Sequence, residues 1–227
     1  MDVGVTYVLH KDAGDTTLNI RGDLYRYLIK VRRHGEGDIL DFRADKDLSV
    51  LHRYELVNLE SRSIKLSLLD SIVKQVFSEK YLHIAWCVID SKSVEKVLPS
   101  LSEIGVSKIS FIYCDRSQKN FKADFNRLNR IQEASMQQSG RSTFIEFDTY
   151  KNIQGFIKDY PETKIFDFCD TTLGDTQYFK TILIGCEGGF SFNERELLAN
   201  LESFRLNTPM VLRSESAVMA VASKILL

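Results

Sequence analysis

Proline occurs three times and glycine twelve times in 227 residues, a scarcity that excludes extensive disorder. Cysteine is sparse as well. Cys87, Cys114, Cys169 and Cys186 stand far apart without CxxC spacing, so they read as reduced thiols rather than a secreted disulfide scaffold or a zinc site. His10, His34, His52 and His83 also lack ligand spacing, and no metal is expected. No apolar run approaches the ~20 residues that span a bilayer. The opening MDVGVTYVLH lacks the basic-then-apolar order of a leader, and the expectation is a cytoplasmic protein with no membrane partner. Neither sign of charge prevails: 30 Lys and Arg face 31 Asp and Glu, a net of −1. That balance argues against a uniformly basic coat for nucleic acid but leaves room for a local basic face.

What is present suits one large domain or a medium one plus a small one: 44% of the residues are hydrophobic and 27% charged. Residues 1–66 read mostly as short strands, with DILDFRA (38–44), DLSVLHRYELVNLE (47–60) and SIKLSLL (63–69) as candidates. GDLYRYLIKVRR (22–33) has Leu24, Leu28 and Val31 at helical spacing. The texture changes near residue 80. YLHIAWCVID (81–90), VSKISFIYC (106–114), STFIEFDTY (142–150), TKIFDFCD (163–170) and KTILIG (180–185) read as strands. Helices are predicted at about 92–104, 120–139, 151–159, 191–203 and 215–227, the fourth with a Ser191/Glu194 capping box. Such alternation implies an α/β fold with a mostly parallel sheet, whose ligands sit at the carboxyl ends of strands.

One such end carries Gly185-Cys186-Glu187-Gly188-Gly189. The pattern is neither GxGxxG nor GxxxxGK[ST], and no lysine follows it. A glutamate there would repel phosphates, so a neutral or cationic adenosine-like ligand fits better than a triphosphate. The alternative is a tight strand-to-helix connection that meets backbone demands alone. A second polar loop, Arg213-Ser214-Glu215-Ser216, ends an apolar run just before the last helix. Ser214 or Ser216 is expected to cap that helix, and Arg213 with Glu215 to form either an ion pair or part of a pocket. Arg21, Arg26, Lys30, Arg32 and Arg33, interleaved with Tyr25 and Tyr27, form a basic cluster suited to phosphates and base stacking, or else a solvated helix face. Arg116, Lys119, Lys122, Arg127 and Arg130 form a second basic run.

These motifs together resemble the 16S ribosomal RNA uridine-N3 methyltransferase family, RsmE, of the SPOUT class. Members carry IGPEGGF, matched by Ile184-Gly185-Cys186-Glu187-Gly188-Gly189-Phe190 with cysteine for proline. They carry LRTETA, matched by Leu212-Arg213-Ser214-Glu215-Ser216-Ala217 with serines for threonines. The family's ELGV, RS and EAxxQSGR are similar to Glu103-Ile104-Gly105-Val106, Arg116-Ser117 and the run Glu133 to Arg141. VLR…GD corresponds to Val31-Arg32-Arg33 and Gly37-Asp38. Further departures are Arg32 for leucine and Ser100 for a lysine.

The resemblance implies a SPOUT methyltransferase domain with a C-terminal deep trefoil knot (75–227), preceded by a small PUA-like RNA-binding β-barrel (1–68). It implies a homodimer that uses S-adenosylmethionine to methylate N3 of a specific uridine in 16S rRNA, in the assembled small ribosomal subunit. Carried onto matching positions, the cofactor residues are Ile184, Gly185, Glu187, Gly188, Gly189, Val211, Leu212, Ser214 and Ser216. A valine at Gly188 is expected to enter the pocket. Arg213, with Arg141 second, is expected to stabilise the anion forming on the base, and Glu215 or water to take the proton. Arg116 or Arg141 is expected to act across the dimer, and Arg21, Arg26, Lys30, Arg32, Arg33 and Arg116 to contact RNA. Two other readings stay open: an RNA-binding assembly factor without catalysis, and a SPOUT enzyme acting on tRNA or a ribose hydroxyl.

Overall fold

Residues 6–118, 120–174 and 177–227 are described by a computed structural model; Lys119 of the second basic run and residues 1–5 of the first expected domain lie outside them. The chain divides into two units, one running to Phe77 and including Met136–Thr143, the other holding Ser78–Ser135 and Phe144–Leu227.

Alternation builds the first unit. After β1 (Val8–Leu9), β2 (Thr17–Arg21) buries Leu18 and Ile20 and turns Thr17, Asn19 and Arg21 to water. A single turn of helix, α1 (Gly22–Tyr25), runs directly into a π-helical turn at Arg26–Val31, where the spacing of Leu24, Leu28 and Val31 suggested a short helix. Its widened bonding is seen in the Arg32 amide, which donates to the Tyr27 carbonyl at 2.9 Å. Then come β3 (Ile39–Ala44), β4 (Asp47–Leu59) and β5 (Ser63–Val73), the last reaching four residues beyond its predicted end. The sheet order is β1-β3-β4-β5-β2, antiparallel except for β1 beside β3. Register shifts at Phe42/Ala44, Arg53/Tyr54 and Leu56/Asn58 mark bulges in the long strands. Phe42, Tyr54, Leu56 and Leu66 are fully buried between its strands, with Leu28 of the π-turn. Met136–Thr143 joins this unit through bonds from the Thr6 amide to the Gln137 carbonyl (2.9 Å) and from the Tyr7 hydroxyl to the Arg141 carbonyl (2.6 Å).

The second unit is a parallel sheet. Its strands are β6 (His83–Cys87), β7 (Lys108–Ile112), β8 (Glu146–Tyr150), β9 (Lys164–Phe166), β10 (Thr181–Ile184) and β11 (Ser203–Phe204), in the order β11-β9-β10-β6-β7-β8. All neighbours run parallel, so the α/β expectation holds. Every residue of β6 is buried, as a strand covered on both faces requires. Trp86, Phe111, Phe147 and Phe125 stack successively at 6.4, 6.2 and 6.0 Å between centroids. The helices are α2 (Ser91–Ile104), α3 (Phe125–Ser139, whose residues from Met136 on belong to the first unit), α4 (Ile153–Asp159), α5 (Phe192–Leu198) and α6 (Ser214–Leu226), with α6 packed on α2 and β10. The α3 helix starts five residues later than predicted. The Asp124 carboxylate accepts from the Arg127 amide at 3.0 Å, an N-cap that leaves Phe121 buried in the loop before it.

Cys87 and Cys114 are joined as a disulfide, against the expectation of reduced thiols, while Cys169 and Cys186 are free. Their separation in sequence hides the pairing, which the parallel register of β6 and β7 creates by setting Cys87 opposite Ile112. Among the described residues, no helix is long and apolar enough to cross a membrane.

Candidate functional site

The order of the strands reverses once within the second sheet. The chain proceeds outward through β6, β7 and β8, passes to β9 on the other side, and inserts β10 between β9 and β6. Reversals of this kind leave a crevice at the carboxyl ends of the strands.

At the end of β10 the Gly189 amide donates to the Cys186 carbonyl at 2.9 Å, closing a turn, and Gly189 takes φ +64°. An L side chain is strained there, which accounts for that glycine. Gly188 has a different reason: a Cβ on it would lie 3.2 Å from Cδ of Arg116, whose Nη1 donates to the Gly188 carbonyl at 2.6 Å. The turn then enters α5 through the predicted capping box, with Ser191 and Glu194 bonded reciprocally. Glu194 also accepts from the Asp115 amide at 2.8 Å, and Ser191 donates to the Asp115 carboxylate at 2.5 Å. Thus the loop after β7 and the glycine turn are fastened together.

The loop before α6 arrives at the same place. Arg213 occupies the N-cap position in extended conformation without a side-chain cap. Ser214 was expected to cap, or Ser216 beside it, but neither does. The Ser214 hydroxyl donates to the Gly185 carbonyl at 2.6 Å and accepts from Trp86 Nε1 at 2.8 Å. This buried bridge joins the end of β10, the carboxyl-terminal part of β6 and the first residue of α6.

A cleft opens around the bridge. It is lined by Ile184, Gly185, Glu187, Gly189, Val211, Leu212 and Ser214, seven of the nine expected cofactor residues. Gly188 and Ser216 are not among its walls: Gly188 faces Arg116, and Ser216 is exposed. A valine at 188 would therefore press on Arg116 rather than enter the cleft. Phe166, Asp167 and Phe168 from the end of β9, and Arg205, Leu206, Thr208 and Met210 beyond β11, also line it. These residues were missed from the sequence, although β9 ends at the same sheet edge and that edge rule pointed to them. Phe168, Met210 and Val211 are 72%, 67% and 75% exposed and give the cleft an apolar surface. Asp167 is held in an ion pair by Arg195, and Arg205 donates to the Leu206 carbonyl at 3.3 Å. Glu187 is exposed and makes no ion pair among the described residues. Burial pushes the Cys186 thiol up, which disfavours the thiolate a nucleophile needs.

Arg213 is exposed; its carbonyl accepts from the Ala217 amide at 2.8 Å while its guanidinium has no ion pair among the described residues, and Glu215 holds Oε2 buried with no hydrogen bond. Neither lines the cleft; they flank Ser214, which does. Arg141 is a correction. It is 6% exposed within the first unit, its Nε donates to the Thr143 carbonyl at 2.6 Å, and burial pulls its guanidinium down to about 10. A side chain so committed to its own loop does not present a cation to a base. Arg116 is tied to its own chain's Gly188. Arg21, Arg26, Lys30, Arg32 and Arg33 are all exposed, with Arg26 paired to Asp23 and Arg32 set over the Tyr27 ring. In the second basic run Arg127 makes a two-bonded pair with Glu95 at 2.5 and 2.6 Å and is not free for phosphate. No cluster of three metal-ligating side chains occurs among the described residues.

Comparison with known proteins gives a family. Residues 78–226 match the model of the RNA methyltransferase domain, a span that starts where the second unit starts. The chain is 37% identical over 221 residues to ribosomal RNA small subunit methyltransferase E of Helicobacter pylori, covering 96% of this chain and 97% of that protein. Its fold is similar to that of a probable rRNA-methyltransferase from Porphyromonas gingivalis, with TM-score 0.76 and 24% identity over 96% of this chain and 95% of the other. It is also similar to that of ribosomal RNA small subunit methyltransferase E from Neisseria gonorrhoeae, solved bound to S-adenosyl methionine, with TM-score 0.74 and 18% identity over 97% and 96% of the two chains.

Proposed function

The chain belongs to the RNA methyltransferase family that includes ribosomal RNA small subunit methyltransferase E, and from that premise we propose that it transfers a methyl group from S-adenosylmethionine to N3 of a uridine in 16S rRNA, within the assembled small ribosomal subunit. The observation that carries this reading is the Ser214 bridge, which brings the glycine turn and the loop before α6 to one cleft.

The walls of the cleft fit the cofactor. Exposed Phe168, Met210 and Val211 offer apolar contact to an adenine ring, and the backbone of Ile184, Gly185 and Leu212 offers polar groups to its edge. The unpaired Glu187 carboxylate complements a cationic ligand and would repel a phosphate. S-adenosylmethionine, when bound, supplies a methyl group on a positively charged sulfur.

The remaining work falls to the chain. A uridine N3 must lose its proton for its lone pair to attack, and negative charge then spreads over the flanking carbonyls. Arg213, exposed at the N-terminal end of α6, supplies the cation for that charge, aided by the positive end of the helix. Arginine stays protonated and is not the base. Glu215, next in the chain to the cleft-lining Ser214, or water takes that part. Arg116 holds the glycine turn in position through Gly188. Holding both reactants in line contributes much of the rate.

The same premise extends to the architecture. The first unit serves as a PUA-like RNA-binding barrel, represented by residues 1–68, and residues 75–227 as a SPOUT domain. Insertion of β10 between β9 and β6, with α6 packed on α2 and β10, supports a terminal segment that threads a trefoil knot. The working form is a cytoplasmic homodimer. Small subunits lacking the modification, incubated with the protein and labelled S-adenosylmethionine, should acquire one labelled methyl group, mapped to N3 of a single uridine by nuclease digestion and mass spectrometry. Subunits that bind the protein and cofactor yet stay unlabelled would refute the proposal.

A further inference from the structure

The first unit contains a second cleft, of about 400 Å³, remote in sequence from every cofactor residue. Tyr27 and Leu28 of the π-turn, Arg32, His34, Ile39 of β3 and Arg53 of β4 line it. Three observations bear on its use.

The first is charge. Arg53 is paired with Asp41 at 3.3 Å and His34 with Asp38 at 3.1 Å, which leaves Arg32 as the lining cation without a carboxylate partner among the described residues. Its Nε donates to the Tyr27 hydroxyl at 3.0 Å while the guanidinium lies 5.5 Å from the Tyr27 ring centroid. Its plane is thus held in place, and its outer nitrogens remain free to donate. The second is apolar exposure: Ile39, which lines the same cleft, is 58% exposed. The third is backbone strain. Arg33, at φ +62°, is the sole non-glycine residue in the left-handed region among the described residues. It is not part of the wall, but its neighbours Arg32 and His34 both are. Strain at Arg33 and the π-turn before it set the side chains of 27, 28, 32 and 34 around one concavity. Both features recur where backbone geometry serves a ligand.

A cavity of this size, lined by apolar side chains, the Arg53–Asp41 pair and one unneutralised guanidinium, complements an unstacked base on its phosphate. We propose that this cleft receives one unpaired nucleotide of the substrate RNA, the base between Ile39 and the Arg32–Tyr27 pair and the phosphate on the free nitrogens of Arg32. The proposal rests on the reading of the protein as an RNA methyltransferase, and names where single-stranded RNA is gripped outside the cofactor cleft. A duplex cannot use the cleft, because its bases are stacked and paired.

Fluorescence anisotropy with a short labelled oligouridylate and with a duplex of equal length tests it on the full chain. Ile39→Glu sets an anion at the mouth of the cleft on an exposed position, and Arg32→Gln removes the free cation. Each is expected to weaken oligouridylate binding about tenfold, the scale of one lost stacking or phosphate contact. Duplex binding and calorimetric affinity for S-adenosylmethionine should not change. Lys65→Gln, an exposed cation of β5 away from the cleft, should match the wild type. The proposal is overturned if either cleft variant binds oligouridylate like the wild type, or if the wild type prefers the duplex. Absence of methyl transfer to unmodified subunits would instead sink the enzymatic reading. Transfer that persists while Ile39→Glu binds RNA normally sinks the cleft alone.

Discussion

Replacing Ser214 by alanine removes one oxygen atom and two hydrogen bonds. Ser214 is 5% exposed and Trp86 1% exposed, so water does not readily replace the hydroxyl as acceptor for the indole N–H. A buried donor left unsatisfied costs about 1–3 kcal/mol. The Gly185 carbonyl, on the wall of the cleft, can recruit solvent and adds less. A loss of ~2 kcal/mol follows, which lowers the Tm of a chain of this length by roughly 4–8 °C. Trp86 is the single tryptophan, so its emission during urea unfolding reports on the second unit directly. Affinity for S-adenosylmethionine, measured by calorimetry, should fall in the same variant, because the bridge is what holds the two loops at one cleft. Ser214→Thr keeps the hydroxyl and should stay close to wild type; Ser216→Ala, at an exposed position, should change neither reading. If Ser214→Ala unfolds at the wild-type urea concentration and binds the cofactor equally well, the bridge does not organise the site.

Other consequences can be measured with the same protein. Arg213→Ala is expected to lower turnover far more than cofactor affinity, since Arg213 does not line the cleft; equal losses would make it a binding residue. Gly188→Val brings a side chain against Arg116, so it should reduce turnover while cofactor affinity falls by less than in Ser214→Ala. The opposite ranking would restore Gly188 to the cleft wall. Burial, with Lys108 nearby, pushes His83 down from 6.5 to about 4, so the unfolded chain gains a proton there first as the pH falls. The contribution of His83 is fully present above pH 6.5 and is lost as the pH falls from 6.5 through 4, about 3 kcal/mol in total. In His83→Gln the urea midpoint should vary less across that window, and an unchanged slope would remove His83 as the cause.

Much of the second unit was legible because its signals are local. HIAWC and KISFI announce buried strands by composition, and the Ser191/Glu194 box announces α5 at its first residue. The start of α3 was misread because apolar spacing continues through Phe121, whereas the Asp124 cap decides where the helix begins. The π-turn at Arg26–Val31 was invisible to a 3.6-residue period, which it shares over so few residues. Arg141 was singled out from a motif that holds Gln137 and Gly140 as well, yet the whole stretch Met136–Thr143 packs with the first unit.

Residue type and short-range spacing by themselves established the alternating strands and helices, the glycine turn at the end of one strand and the serine-rich loop before the last helix. Propensities and caps act over a few residues, and the chain displays them directly. Only the folded molecule decided that β10 lies between β9 and β6, and hence that Gly185 meets a hydroxyl 29 residues later. That meeting took Ser214 away from its expected cap and brought Phe168 and Met210 to the cleft. Strand order is chosen by the burial of whole faces against one another, a quantity that no local stretch of sequence contains.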